Sequence, residues 1–205
     1  MGLPEGGKFR RQHKLPVAWR LPMILVGIAA VLAISGEPGR EWLRYDRAAI
    51  TDGEYWRMLS GHFVHLGASH ILLNVAGLLL IWYLVGTAFS LAHWLLIVAG
   101  TLVGMDLGFW FLSPGLTWYV GLSGLLHGLL AAGILGTLGS QTKEASVLGV
   151  LLVGKLVYEQ FAGPLPGSEG STGGLVIVDA HLYGAIAAAV LASGLLIRAR
   201  TSAPP

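Results

Sequence analysis

A serine flanked by two glycines has the local sequence expected of a nucleophile in acyl transfer. Ser123 lies between Gly121 and Gly124, in the sequence Gly-Leu-Ser-Gly at the predicted start of a helix. Free backbone N–H groups and the positive end of the helix dipole would stabilise a developing alkoxide and an oxyanion there. A serine still needs a general base, and histidine is the usual one because its ordinary pKa lies near neutrality.

The composition indicates that this serine lies inside a membrane protein. Of the 205 residues, 54% are hydrophobic and only 12% are charged, whereas about a quarter of the residues in soluble domains are charged. Apolar runs recur along the whole chain, so the first is predicted to span the membrane rather than to act as a signal peptide. The lack of cysteine excludes disulfides, thiol nucleophiles and thiolate metal sites.

Six apolar segments predict an all-α, polytopic membrane protein with a bundle of six transmembrane helices. These segments are 17–35, 70–89, 93–112, 121–138, 145–161 and 179–197. The connection 36–69 is charged and rich in tryptophan, and we expect a structured loop at the membrane interface. The predicted organisation is therefore a cytoplasmic tail at 1–16, a helical domain at 17–197 and a second cytoplasmic tail at 198–205.

Basic residues near the chain ends predict the orientation of the bundle. They place both termini in the cytoplasm, which requires an even number of spans. The second, fourth and sixth helices then begin at the outer face. The small positive net charge, mainly at the two ends, suits membrane anchoring better than binding of nucleic acid. The basic residues are Lys8, Arg10, Arg11 and Lys14 before the first segment, Arg20 close to its start, and Arg198 and Arg200 after the last segment.

This topology predicts that three reactive side chains lie at one depth. His70, Ser123 and His181 each lie in the first turn of a helix that begins at the outer face. Asn74 follows His70 by one helical turn and lies on the same face of its helix. Polar groups are costly inside a membrane, so such a cluster is a candidate functional site.

Small residues predict that the fourth and sixth helices touch. Gly184 and Ala188 are four residues apart on the sixth helix, and Gly124 and Gly128 offer a matching face on the fourth. Small residues at this spacing allow close approach of two helices in a membrane. The contact would bring the candidate nucleophile and the histidine at position 181 within reach of each other.

Together these motifs resemble the motif set of rhomboid proteases, in the same order and on the same helices. The resemblance implies an intramembrane serine endopeptidase that forms an acyl-enzyme, with Ser123 as nucleophile and His181 as base. It also implies that His70, Asn74 and the backbone amide of Ser123 bind the oxyanion, and that Trp56 and Arg57 are structural. The matching motifs are Trp56-Arg57, His65, His70-x-x-x-Asn74, Gly121-x-Ser123-Gly124 and Ala180-His181-x-x-Gly184.

A narrower resemblance is to rhombosortase, a branch of the same family. Rhomboids commonly have a tyrosine one turn after the nucleophile, where this chain has His127, and the chain is similar to rhombosortase in its small size and in the sequence Asp-Ala-His-Leu-Tyr-Gly at 179–184. The resemblance implies a membrane-anchored secreted substrate with a C-terminal Gly-Gly tag. It further implies location in the bacterial inner membrane, an active site toward the periplasm, and release of the acyl group to water or to a phospholipid-derived amine.

Four other polar residues have structural and functional interpretations. Lys155 and Glu159 are four apart on the fifth helix and are expected to pair, and both could line the substrate path. Asp106 could also line the substrate path, although a snorkelling or capped carboxylate is the simpler interpretation. Asp179 is predicted to be the N-cap of the sixth helix, because it points about 200° away from the histidine two residues on. No cofactor or metal is expected, since His70, His127 and His181 have no carboxylate at ligand spacing along the sequence.

Three alternative functions stay open at this point. A general rhomboid protease would cleave single-span proteins without a Gly-Gly tag. A non-catalytic rhomboid relative would bind and escort membrane clients, although such relatives typically lack the serine or the histidine. A small transporter would use Lys155, Glu159 and Asp106 as its pathway, but the chain has no pair of broken hydrophobic segments in corresponding halves.

Overall fold

The computed structural model describes residues 19–202, which form a bundle of helices and one pair of very short strands. Each of the six predicted apolar segments is helical, with ends displaced by a few residues. In chain order the elements are α1 (Arg20–Ile34), α2 (Gly36–Leu43), β1 (Tyr45–Asp46), α3 (Arg47–Thr51), α4 (Trp56–Ser60), α5 (Ala68–Val85), α6 (Leu91–Phe111), β2 (Trp118–Tyr119), α7 (Ser123–Thr137), α8 (Thr142–Ala162), α9 (Ser168–Thr172) and α10 (Val178–Thr201).

Of the two predicted tails, only the C-terminal one falls partly within the described residues. The tail at 1–16 lies outside the described residues. At the other end, α10 continues to Thr201, so the segment predicted as a tail from 198 begins as helix.

Within residues 19–202, four helices are long and apolar enough to cross a membrane, namely α5, α6, α8 and α10. The bent pair α1 and α2, with 116° between the two helices, would give five if it counted as one span. Helix α7 is apolar but has only 15 residues. Large apolar side chains are exposed on the outside of the bundle, as expected where lipid replaces water. Examples are Leu72 and Tyr83 on α5, Val103 on α6, Val150 and Phe161 on α8, and Val190 on α10.

Helix α7 lies in the middle of the bundle and packs closely against α10. A Cβ atom at Gly184 would overlap the carbonyl oxygen of Gly124, and one at Gly124 would lie 2.7 Å from the carbonyl oxygen of Ala180. A Cβ at Gly128 would lie 2.8 Å from the carbonyl oxygen of Gly184. The two backbones therefore touch along the face of small residues that the sequence indicated, because only hydrogen atoms separate them there.

The connection between α1 and α5 is structured and is held together by a buried arginine. Arg57 donates hydrogen bonds from Nη1 to the carbonyl oxygens of Glu41, at 2.8 Å, and Arg44, at 3.1 Å. Its Nε donates to the Glu54 carboxylate. Arg57 thus ties α2, the following turn and α4 into one unit.

This connection also holds the segment that leads to Ser123. β1 pairs antiparallel with β2, with Tyr45 opposite Tyr119. Two residues further on, the N–H of Gly121 donates to the carbonyl oxygen of Gly61 at 3.1 Å. The start of α7 is therefore fixed from the side of the interfacial connection as well as from within the bundle.

Candidate active site

Ser123 is the first residue of α7, where its backbone N–H belongs to the four amides that have no partner within the helix. The turn before it depends on Gly121, whose φ of +126° is a conformation that L side chains rarely adopt. The hydroxyl of Tyr119 donates a hydrogen bond to the carbonyl oxygen of Gly121. Burial raises the pKa of this tyrosine, so the phenol keeps the proton that it donates.

The structure brings His181 of α10 to the hydroxyl of Ser123. The distance between His181 Nε2 and Ser123 Oγ is 3.1 Å, which is a hydrogen-bond distance. The imidazole of His181 is buried, with 4% of its surface exposed. This geometry lets Nε2 take the serine proton directly, as general-base catalysis requires.

His127 lies beside the same two residues but contacts a different atom of the serine. Its Nδ1 donates to the carbonyl oxygen of Ser123 at 2.7 Å, one turn back along α7. Its ring stacks on that of His181, with centroids 4.1 Å apart and an angle of 20° between the planes. His127 therefore packs against the candidate base and has no hydrogen bond to the serine hydroxyl.

His70 and Asn74 lie on the opposite side of the serine turn, on α5. The N–H of Leu66 donates to His70 Nδ1 at 3.3 Å, which leaves Nε2 as the protonated nitrogen and a donor. The buried Nδ2 of Asn74 has no hydrogen-bond partner among the described residues. A Cβ at Gly121 would lie 3.0 Å from His70 Nε2 and 4.0 Å from Asn74 Nδ2. Both donors thus border the space that a glycine at 121 leaves open.

Glu159 joins this group from α8, a contact that the sequence interpretation missed. One carboxylate oxygen accepts a hydrogen bond from His181 Nδ1 at 2.8 Å. The other pairs with Lys155 Nζ at 2.6 Å, which is the ion pair expected from their spacing. The order of the helices could have indicated this contact. Since α8 runs antiparallel to α7 and α10, the carboxyl end of α8 lies at the level where α7 and α10 begin.

A cavity of about 180 Å³ connects these side chains. It is lined by His70, Asn74, Ser123, His127, Lys155, Glu159 and His181, together with apolar residues of the segment before α10. Lys155 and Glu159 therefore line the cavity, as one of their two interpretations proposed.

Asp106 does not line this cavity and lies elsewhere in the bundle. Its carboxylate accepts a hydrogen bond from His62 Nε2 at 3.1 Å, and both side chains are buried. This contact fits the simpler interpretation of Asp106 as a carboxylate with a structural partner, since His62 belongs to the interfacial connection.

Asp179 is not the N-cap of α10, which begins at Val178 and is preceded by Ile177. The carboxylate of Asp179 instead accepts a hydrogen bond from the hydroxyl of Ser113 at 2.6 Å. A partner from another part of the fold therefore takes the oxygen that was expected to cap the helix. The negative charge still lies in the first turn of α10, where it is favourable to the helix dipole.

The site also contains side chains of the types that bind metal ions. Ligand atoms of His127, Glu159 and His181 lie within 4.8 Å of one another. The sequence argument against a metal rested on the lack of a carboxylate at ligand spacing along the chain. That premise does not hold in three dimensions, because α8 supplies the carboxylate of Glu159.

His65 lies at the edge of the site, in the connection before α5. Its ring meets that of His70 edge to face, with centroids 5.0 Å apart. Neither of its ring nitrogens has a hydrogen-bond partner among residues 19–202. Burial, reinforced by the nearby His70, lowers the pKa of His65 to about 4.

Comparison with known proteins gives one family match. The model of the Rhomboid domain matches residues 52–198, which include the second half of the interfacial connection, every helix from α4 to α9 and all but the last three residues of α10. A search of curated proteins finds no match.

Proposed function

The chain belongs to the rhomboid family of intramembrane serine proteases, and from this premise we propose that it is an active endopeptidase with Ser123 as nucleophile and His181 as general base. The observation that carries the proposal is the 3.1 Å distance between Ser123 Oγ and His181 Nε2 beside a cavity in a bundle of apolar helices. A relative that only binds clients would not need a base at this distance from a serine at a helix start.

The proposed reaction passes through an acyl-enzyme. His181 Nε2 takes the proton of Ser123 while Oγ attacks the scissile carbonyl carbon, whose oxygen becomes an oxyanion. His70 Nε2, Asn74 Nδ2 and the N–H of Ser123 donate hydrogen bonds to that oxygen. Collapse of the intermediate breaks the C–N bond, and His181 returns the proton to the leaving amine. Attack of a second nucleophile on the ester, again with loss of a proton to His181, releases Ser123.

The proposed substrate is a secreted protein held in the membrane by a C-terminal tail with a Gly-Gly tag. The cavity supports small residues at the cleaved bond, because about 180 Å³ is less than the usual volume of sites for larger ligands, about 300 Å³ or more. His127, at the position of the usual tyrosine, supports the rhombosortase branch. The second nucleophile is water or a phospholipid-derived amine.

We propose that the chain is a six-span protein of the bacterial inner membrane with both termini in the cytoplasm. In this topology α1 and the short helix α7 also span the membrane, together with the four long helices α5, α6, α8 and α10. Ser123, His70 and His181 all lie near the starts of their helices, which begin at the outer face in the proposed topology, so the site would open toward the periplasm.

Co-expression with a Gly-Gly-tagged secreted protein tests this function. We expect the wild-type chain to produce a shortened substrate, whose new C-terminus mass spectrometry identifies at the tag. Ser123→Ala should abolish the product without unfolding the bundle, since alanine fits a helix start and removes only the hydroxyl. Cleavage by folded Ser123→Ala protein would disprove the serine mechanism. Equal cleavage of a single-span protein that lacks the tag would instead favour a general rhomboid protease.

A further inference from the structure

The buried carboxylate of Glu159 has no part in the reaction as described, yet it contacts the candidate base directly. Only 3% of the Glu159 surface is exposed. Oε2 accepts a hydrogen bond from His181 Nδ1 at 2.8 Å, and His181 Nε2 faces Ser123 Oγ at 3.1 Å. The three side chains come from three helices, α7, α10 and α8, and form one continuous chain of hydrogen bonds.

The contacts fix which nitrogen of His181 carries the proton. An ionised carboxylate has no hydrogen to donate, so the bond to Glu159 requires a proton on His181 Nδ1. Neutral imidazole has one N–H, which leaves a lone pair on Nε2 directed at the serine hydroxyl. This is the tautomer that a general base for Ser123 needs.

Lys155 lies beside both partners of this contact. Its Nζ pairs with Glu159 Oε1 at 2.6 Å and lies 3.4 Å from His181 Nδ1. Nδ1 is closer to the carboxylate, at 2.8 Å, than to the ammonium, and the ammonium is itself closer to the carboxylate, so each of the two N–H groups bonds to Glu159. The ion pair keeps a buried negative charge compensated, which a carboxylate in a membrane bundle requires.

We infer that Glu159 is a positioning residue that completes a Ser123–His181–Glu159 triad, with Lys155 holding the carboxylate in place. The inference rests on the proposed function, because it assigns a role to Glu159 through His181. The carboxylate orients the imidazole and stabilises the imidazolium that forms when Nε2 takes the serine proton. Loss of the equivalent carboxylate in a serine-protease triad lowers kcat by about 10⁴-fold.

Glu159→Gln is the main test, because it keeps the side-chain shape and removes the charge. We expect kcat for a cleavable substrate to fall by about 10²- to 10⁴-fold with KM nearly unchanged. Labelling of Ser123 by a phosphonate probe should slow by a similar factor. Glu144→Gln is the matched control, since Glu144 lies exposed on the same helix α8. Wild-type kcat in folded Glu159→Gln protein would overturn the triad.

A spectroscopic measurement gives an answer that does not depend on turnover. Nitrogen-15 NMR of labelled histidine distinguishes an imidazole protonated at Nδ1 from one protonated at Nε2. We expect His181 to be protonated at Nδ1 in the wild-type chain, and to lose this preference in Glu159→Gln. An Nε2-protonated His181 in the wild-type chain would overturn the inference, even if Glu159→Gln fails to fold.

The outcomes separate the triad from the proposed function. Cleavage that depends on Ser123 and His181 but not on Glu159 would leave the protease and remove the triad. Cleavage that survives Ser123→Ala would remove the protease itself. Loss of cleavage after treatment with a metal chelator, and its recovery on adding zinc, would assign Glu159 to a metal site with His127 and His181 and would also overturn the triad.

Discussion

The imidazole rings of His127 and His181 lie nearly parallel, with their centroids 4.1 Å apart. The two rings nevertheless contact different atoms of Ser123, since His181 reaches the hydroxyl and His127 the carbonyl oxygen. The stack therefore supports the orientation of His181 without competing for the serine proton.

We expect His181→Ala to remove essentially all activity, and His127→Tyr to retain a measurable part of it. Tyrosine offers a flat ring for His181 to stack on, whereas alanine at 181 leaves the hydroxyl without a base. Single-turnover cleavage in detergent or liposomes compares the two variants. A folded, inactive His127→Tyr protein beside an active His181→Ala protein would make His127 the base.

Removal of either proposed oxyanion donor should slow the chemical step. His70→Ala and Asn74→Ala are each expected to lower kcat by about 10- to 1000-fold, because one hydrogen bond to the developing charge is lost. KM should change little, since the interaction strengthens only as the oxyanion forms. Effects confined to KM would assign these side chains to substrate docking instead.

Gly121→Ala should lower activity, because the added methyl group would fill the space beside His70 and Asn74. A methyl group at this position would meet His70 Cε1 at 2.9 Å and Nε2 at 3.0 Å, and the φ of +126° would be strained. We expect turnover and phosphonate labelling both to fall by about 100-fold or more. Gly115→Ala, earlier in the same connection, is the control because nothing lies within 4 Å of its added Cβ. Equal activity of the two variants would show that the space before Ser123 is not used.

Lowering the pH should destabilise the edge of the site through His65. Its pKa of about 4 in the folded chain lies below the ordinary 6.5, so the unfolded state binds a proton first as the pH falls. Stability should therefore decrease from pH 6.5 toward pH 4. We expect His65→Gln to reduce the fall in Tm between pH 7 and pH 5, while His93→Gln, on an exposed site, leaves it unchanged. An identical pH dependence in His65→Gln would contradict this role.

The sequence predicted the helices because the length of an apolar run fixes where a span can form. It also indicated that His70, Ser123 and His181 share a depth, and the close α7–α10 contact follows from the small residues at positions 124 and 184. Contacts between helices distant in sequence were harder to predict. The contact between Glu159 and His181 was not predicted, because helix starts alone indicated which side chains share a depth, although the carboxyl end of α8 lies at the same level.

Two other polar residues show the same difficulty. Asp179 was expected to cap α10, but a hydroxyl from another segment, that of Ser113, binds its carboxylate. Asp106 was considered for the substrate path, but His62 of the interfacial connection pairs with it. In both cases the local pattern allowed several partners, and packing between distant segments selected one.

The short length of α7 has a consequence for how the bilayer meets the protein. Its 15 residues rise by about 22 Å, whereas the hydrocarbon layer is about 30 Å thick. In the proposed six-span topology the helix that carries Ser123 cannot match that thickness, so either the lipid thins around the bundle or a hydrated depression reaches down to the helix start. Longer lipid acyl chains in reconstituted vesicles would thicken the hydrocarbon layer. The scissile bond of a substrate would then have to move further out of that layer to reach Ser123.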